Sequence, residues 1–92
     1  MSQELTEPLT SDQVRAARAL LRWSAEDLSR RSSVSLRTIR RAELAEGRTT
    51  MTTANSLAVR RTLESAGIEF IDEIGGGPGV RLRKRQRTKQ TK

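Results

Sequence analysis

Val14, Ala17, Leu20 and Leu21 recur at three- and four-residue intervals, the spacing of one face of an α-helix, and predict a first helix over residues 11–22. Thr10 and Gln13 stand three apart at its start, the pattern of a capping box in which each side chain satisfies the other's backbone N–H. Ser24 and Asp27 repeat that pattern more weakly and open a short second helix over residues 25–31. Trp23 and Leu28 flank the cap as a hydrophobic staple, so Trp23 is read as core rather than as a surface for stacking bases. Ser32, Ser33 and Val34 form a turn. Ser35 then caps a third helix over residues 36–43, with Ile39 and Ala42 facing inward. Two helices joined by three or four residues, the second capped by serine, have the pattern of a helix-turn-helix.

Residues 44–51 read as a loop holding Gly47, Arg48, Thr49 and Thr50. Thr52 or Thr53 opens a fourth helix that Gly67 ends from the C′ position. Val59, Leu63 and Ala66 make its inner stripe. Ser56 interrupts that stripe, and Leu57 lies nearly opposite, either as a partly exposed surface residue or as part of a subunit contact. Beyond Gly67 the period falls to two: residues 68–72 and 80–83 alternate as strands around Gly75-Gly76-Gly77-Pro78-Gly79, which predicts a β-hairpin. A lone hairpin is barely stable in water, so it must pack on the helices or pair with another chain. The fold class expected is mainly α: a four-helix helix-turn-helix domain at residues 10–67 followed by a short hairpin at 68–85. Residues 1–9 read as a flexible lead-in closed by Pro8, and residues 86–92, which hold no apolar side chain, as a disordered basic tail.

Composition narrows the possibilities. Ninety-two residues suit one small domain, and the lack of cysteine removes disulfides and thiolate metal sites. Histidine and tyrosine are missing too, and no Gly-x-Ser-x-Gly or phosphate-cradling loop is present, so neither catalysis nor a cofactor or metal is expected. No apolar run is long enough to span a bilayer, and residues 1–8 lack the apolar centre of a secretory signal, which points to the cytoplasm and away from membrane partners. The net charge is +7, and fifteen of the eighteen basic residues are arginine. Seven of the basic groups fall in residues 81–92, and seven arginines fall in residues 22–48. The arginine fork suits phosphates and guanine edges, so either a polyanion partner or a solubilising surface with a frayed tail accounts for the charge.

The stretch from Ser24-Ala25-Glu26-Asp27-Leu28-Ser29 through Ser35-Leu36-Arg37-Thr38-Ile39-Arg40-Arg41-Ala42-Glu43 resembles the phage-repressor-like, or XRE-type, helix-turn-helix family. The segment from Ala45-Glu46-Gly47 to Met51-Thr52, then Leu63 to Ile71, followed by Gly-Gly-Gly-Pro-Gly-Val-Arg-Leu-Arg at 75–83, looks like a small subgroup of it. Two departures stand out. Ala25 occupies a place where the family commonly has glutamine, and Ser33 one where it favours glycine. The resemblance implies a transcriptional regulator whose third helix enters the major groove of double-stranded DNA. The base-facing positions it implies are Leu36, Arg37 and Arg41, with Thr38 or Arg40 contributing.

Flanking positions suited to phosphate are Arg22, the cap Ser24 with the amide of Ala25, the cap Ser35, and Arg48, Thr49 and Thr50. One recognition helix reads few base pairs, so a homodimer on a palindromic operator is expected. The apolar hairpin residues Ile68, Phe70, Ile71, Val80 and Leu82 are the candidate dimer contact. Arg83, Lys84 and Arg85 are either phosphate contacts or charges that keep a strand edge from aggregating. A different class of function stays open: an antitoxin or anti-activator that binds a protein partner through Leu57, the hairpin and the tail. Non-specific nucleic-acid binding through residues 81–92 is a third.

Overall fold

The computed structural model describes residues 8–71 and 76–83. Four helices precede a two-stranded antiparallel sheet: α1 (Ser11–Leu21), α2 (Ala25–Ser32), α3 (Leu36–Leu44), α4 (Thr53–Ser65), β1 (Ile68–Ile71) and β2 (Gly79–Leu82). The protein is therefore mainly helical with a terminal hairpin. The expected tail, the residues Lys84 and Arg85, and the start of the glycine turn lie outside the described residues.

Each helix begins where a hydroxyl can accept a backbone N–H. Thr10 and Gln13 close a capping box on α1, and Ser24 and Asp27 close another on α2. Ser35 accepts from the amide of Thr38 and Thr52 from that of Asn55, capping α3 and α4. Two non-glycine residues end helices in the left-handed region: Arg22 at φ 60° after α1 and Ser33 at φ 66° after α2. Gly67, at φ 109°, turns the chain out of α4 at the C′ position.

The core gathers Val14 and Ala17 of α1, Leu28 of α2, Val34 of the turn, Ile39 of α3, Val59 and Leu63 of α4, and Ile68 of β1. Leu9 belongs to it as well, fully buried, so the flexible lead-in expected over residues 1–9 does not extend to Leu9; residues 1–7 lie outside the described residues. The Leu9 carbonyl accepts from Thr49 N–H at 3.1 Å, and Thr10 forms a β-bridge with Arg48, so the segment before α1 is tied to the loop after α3. Trp23 packs at the edge of the core, half-buried, with the Arg31 guanidinium 4.5 Å over its ring.

The hairpin packs inward. Its register pairs Ile68 with Leu82, Glu69 with Arg81, Phe70 with Val80 and Ile71 with Gly79. Alternation puts Ile68, Phe70, Val80 and Leu82 on one face, and all four lie in or against the core, β1 on α4 and β2 on α1. The other face carries the Glu69–Arg81 ion pair, 3.0 Å. Gln13 fastens the sheet to α1: its side-chain amide donates to the carbonyl of Gly79 at 3.0 Å and to that of Ile71 at 3.4 Å. Among the described residues no helix is long and apolar enough to cross a membrane.

Candidate nucleic-acid interface

α3 is nine residues long, and at about 100° per residue its faces can be assigned. Ile39, Ala42 and Glu43 are buried. Arg37 lies opposite them, at the crest of the exposed face. Arg41 and Thr38 lean to one side of that crest and Arg40 leans to the other. All three arginines are exposed, whereas Leu36 and Thr38 are half-buried. Ser35 Oγ donates to Thr38 Oγ1 at 2.9 Å, so the threonine hydroxyl takes part in the helix cap. Among the described residues Arg37 and Arg41 make no ion pair.

Buried Glu43 holds the helix in place. Its carboxylate takes two hydrogen bonds from Arg18 of α1, Nε to Oε2 and Nη2 to Oε1, each 2.7 Å. The hydrogen bond to Glu43 raises the pKa of Arg18; burial opposes it, and the charges of Glu43 and of Glu26 add to the rise. Arg18 Nη1 also donates to the carbonyl of Trp23 at 2.8 Å, and Arg15 donates to the carbonyl of Glu43. Glu43 therefore turns away from Arg40 and Arg41 of its own helix and into α1. Arg40 instead meets Glu26 of α2, Nη2 to Oε2 at 2.9 Å.

The flanking residues sort into three places. Thr50 comes together with Thr38 and Arg41, and with Met51, Thr52 and Asn55, around a groove of about 180 Å³ between α3 and the start of α4. Arg48 and Thr49 lie on the bridge to residues 9 and 10, with the Thr49 amide already donating to Leu9. Arg22 and Ser24 are exposed between α1 and α2, while Ala25 is half-buried against the core. The sequence reading took Thr52 or Thr53 as the start of α4 but counted neither Thr52 nor Asn55 among the phosphate contacts. Their signal was available: a Thr-x-x-Asn start with no acid in it.

Helix termini here differ in electrostatic character. α2 carries Glu26 and Asp27 in its first turn, whereas α3 and α4 carry no acid there. The Asp27 carboxylate accepts from Ser24 N–H at 2.9 Å and from Arg30 at 2.5 Å. Its pKa is lowered, first by that backbone bond and then, against desolvation, by the Ser24 hydroxyl and Arg30. Two carboxylates thus already answer the positive end of α2, while those of α3 and α4 are open to an outside anion.

The hairpin offers little of the expected dimer contact. Ile68 is 0% exposed within its own chain, and Phe70, Val80 and Leu82 lie against the core. Phe70, Val80 and Leu82 are half-buried, and Ile71, 39% exposed, is the most open of the five. Among the described residues the most exposed large apolar side chain is elsewhere: Leu44 is 82% exposed, two turns along α3 from Arg37 and on the same face. Leu57 is half-buried. A second shallow groove, about 310 Å³, lies between α2 and α4 and is lined by Trp23, Arg31, Thr62, Ser65 and Ala66. Among the described residues no group of three or more acidic, histidine or cysteine side chains is placed to hold a metal ion. No family model matches the chain, and neither a curated protein nor a solved structure is found to be similar to it.

Proposed function

We propose that this chain is a sequence-specific regulator of transcription of the phage-repressor-like kind, which reads double-stranded DNA with α3 in the major groove. The observation that carries the reading is the division of α3. Ile39 and Ala42 are each 1% exposed, while Arg37 and Arg41 stand out from the same nine residues with no acid bound to them among the described residues. Arginine offers two parallel donors to guanine N7 and O6, and Leu36 beside it suits a thymine methyl. Thr50, Thr52 and Asn55, at an acid-free helix start next to Arg41, suit the phosphates that border such a contact. The basic excess supplies attraction that does not depend on sequence.

A helix this short covers few base pairs, so two copies on a palindrome are the expected working form. The apolar hairpin side chains are spent inside the chain, which leaves Ile71 and the outer strand edges for a contact between copies. Sedimentation at tens of micromolar tests this, and monomer alone removes the dimer.

Selection of bound fragments from random duplex DNA, followed by titration of Arg37→Ala and Arg41→Ala, tests the main reading. Each variant is expected to lose about 1–3 kcal/mol at the selected site and to relax discrimination at a base pair. Unchanged discrimination in both variants overturns the reading. One observation favours a second: Leu44, so exposed beside the arginines, suits a protein surface, as an antitoxin or anti-activator would require. A stoichiometric protein partner whose binding Leu44→Ser abolishes, with no selected DNA site, would decide for it.

A further inference from the structure

The three arginines of α3 are not equivalent. Arg37 stands at the crest of the exposed face, and Arg41 leans over the groove to α4, where Thr50, Thr52 and Asn55 lie. Arg40 leans the other way, across to α2, and its guanidinium bonds Glu26 at 2.9 Å. Glu26 is the second residue of α2 and one of the two acids in its first turn. Its neighbour Asp27 has a guanidinium of its own, that of Arg30, at 2.5 Å. Each carboxylate at this helix start is thus matched by one arginine, but the partner of Glu26 is drawn from α3.

A carboxylate at a helix start steadies that helix through its dipole, yet repels any phosphate brought close to the same spot. α2 and α3 pack on one another, so DNA lying along the exposed face of α3 passes beside Glu26. Resting on the DNA-binding reading above, we infer that Arg40 is a counter-charge for Glu26 and not a reader of bases: it cancels an acid that flanks the path of the duplex. Glu26 in turn holds Arg40 aside, so that of the three arginines of α3 it is Arg37 and Arg41 that present free guanidinium groups to base edges. Exposed pairs of this kind add little to stability, so variants of either residue report on the interface and not on folding.

The test is a double-mutant cycle at the selected DNA site and on random duplex, each measured across a salt series, with thermal melts confirming that the variants fold. Arg40→Ala bares the carboxylate, so affinity falls for both DNAs by the same factor, roughly fivefold near 0.1 M salt, with discrimination unchanged. Glu26→Gln removes the acid and frees the guanidinium. Affinity then rises by a similar factor for both DNAs, and the slope of log affinity against log salt steepens by about one phosphate contact. The double variant returns close to wild type. If Arg40→Ala relaxes preference at one base pair, or Glu26→Gln fails to offset it, Arg40 reads DNA and this inference falls while the functional reading stands. If the wild type itself shows no sequence preference, the functional reading fails first.

Discussion

Arg18 of α1 grips Glu43 of α3 through two parallel hydrogen bonds of 2.7 Å, and with its remaining nitrogen holds the carbonyl of Trp23 at the entrance to α2. One guanidinium therefore ties together the three helices that orient the exposed arginines. The pair is largely removed from water, with side-chain exposures of 22% and 10%, so stripping one partner leaves a poorly solvated charge behind. Glu43→Ala is expected to cost about 3 kcal/mol, enough to lower the melting temperature by more than about 10 °C in a domain of this size. Replacing both partners at once, Arg18→Met with Glu43→Leu, should recover most of that loss because no orphaned charge remains. Circular-dichroism melts of the three variants check this. A double variant as unstable as the single one would show that the pair does more than satisfy itself.

Ser33 shows a local cost carried by the turn between α2 and α3. It sits at φ 66° and ψ 17°, with its N–H bonded to the Ser29 carbonyl at 2.9 Å. A side chain in that region costs about 1 kcal/mol, which glycine avoids at some expense in unfolded-chain entropy. Ser33→Gly should therefore gain about 0.5 kcal/mol and raise the melting temperature by about 2–4 °C. Ser33→Val should lose more than Ser33→Gly gains. A lower melting temperature for the glycine variant would mean that the serine side chain contributes a contact outweighing the backbone strain.

What could be read from the sequence follows from range. The helix starts at Thr10, Ser24 and Ser35, the strands and the outward arginines of α3 depend on residues within a turn or two of each other, and the pattern of the chain contained them. Arg18 with Glu43 is 25 residues apart and Gln13 with Gly79 is 66 apart, and no local period points to either pair. Leu9 was misread because a single leucine after Pro8 has no periodicity, and only the bridge from Thr10 to Arg48 shows that the chain is already folded there. The hairpin was read correctly as a strand pair that had to be covered. Which surface would cover it depended on the packing of α1 and α4, and that was not written locally.

Asp27 makes the stability of α2 depend on pH in a definite direction. Its carboxylate accepts the Ser24 N–H at 2.9 Å, and that bond, ahead of the Ser24 hydroxyl and Arg30, lowers its pKa. A depressed folded-state value means that the unfolded chain takes up the proton first. The stabilisation is therefore complete above the unfolded value, near 3.9, and is lost as pH falls through the lower folded one. Asp27→Asn lacks the titrating charge. The gap in melting temperature between wild type and this variant should be widest at neutral pH and should shrink between about pH 5 and pH 3. A gap that stays constant over that range would mean that the ionised carboxylate adds nothing to the cap.

On the proposed DNA-binding reading, a negative charge placed at position 55 separates stability from affinity, because the two respond to it with opposite sign. Asn55 stands third in α4, its N–H held by Thr52 Oγ1 at 3.1 Å, at a helix start with no acid and on the same groove as Arg41 and Thr50. Aspartate there would complete a Thr-x-x-Asp box like the one that Ser24 and Asp27 form, and would meet the positive end of the helix. The gain expected is about 0.3–1 kcal/mol. The same charge would repel a phosphate lying between α3 and α4. Asn55→Asp should therefore melt higher than wild type yet bind selected and random DNA alike more weakly, by on the order of fivefold to tenfold near 0.1 M salt. Fluorescence anisotropy alongside the melt reads both effects in one preparation. A variant that gains stability and keeps its full affinity would put this groove off the path of the duplex, and with it the reason the start of α4 is free of acids.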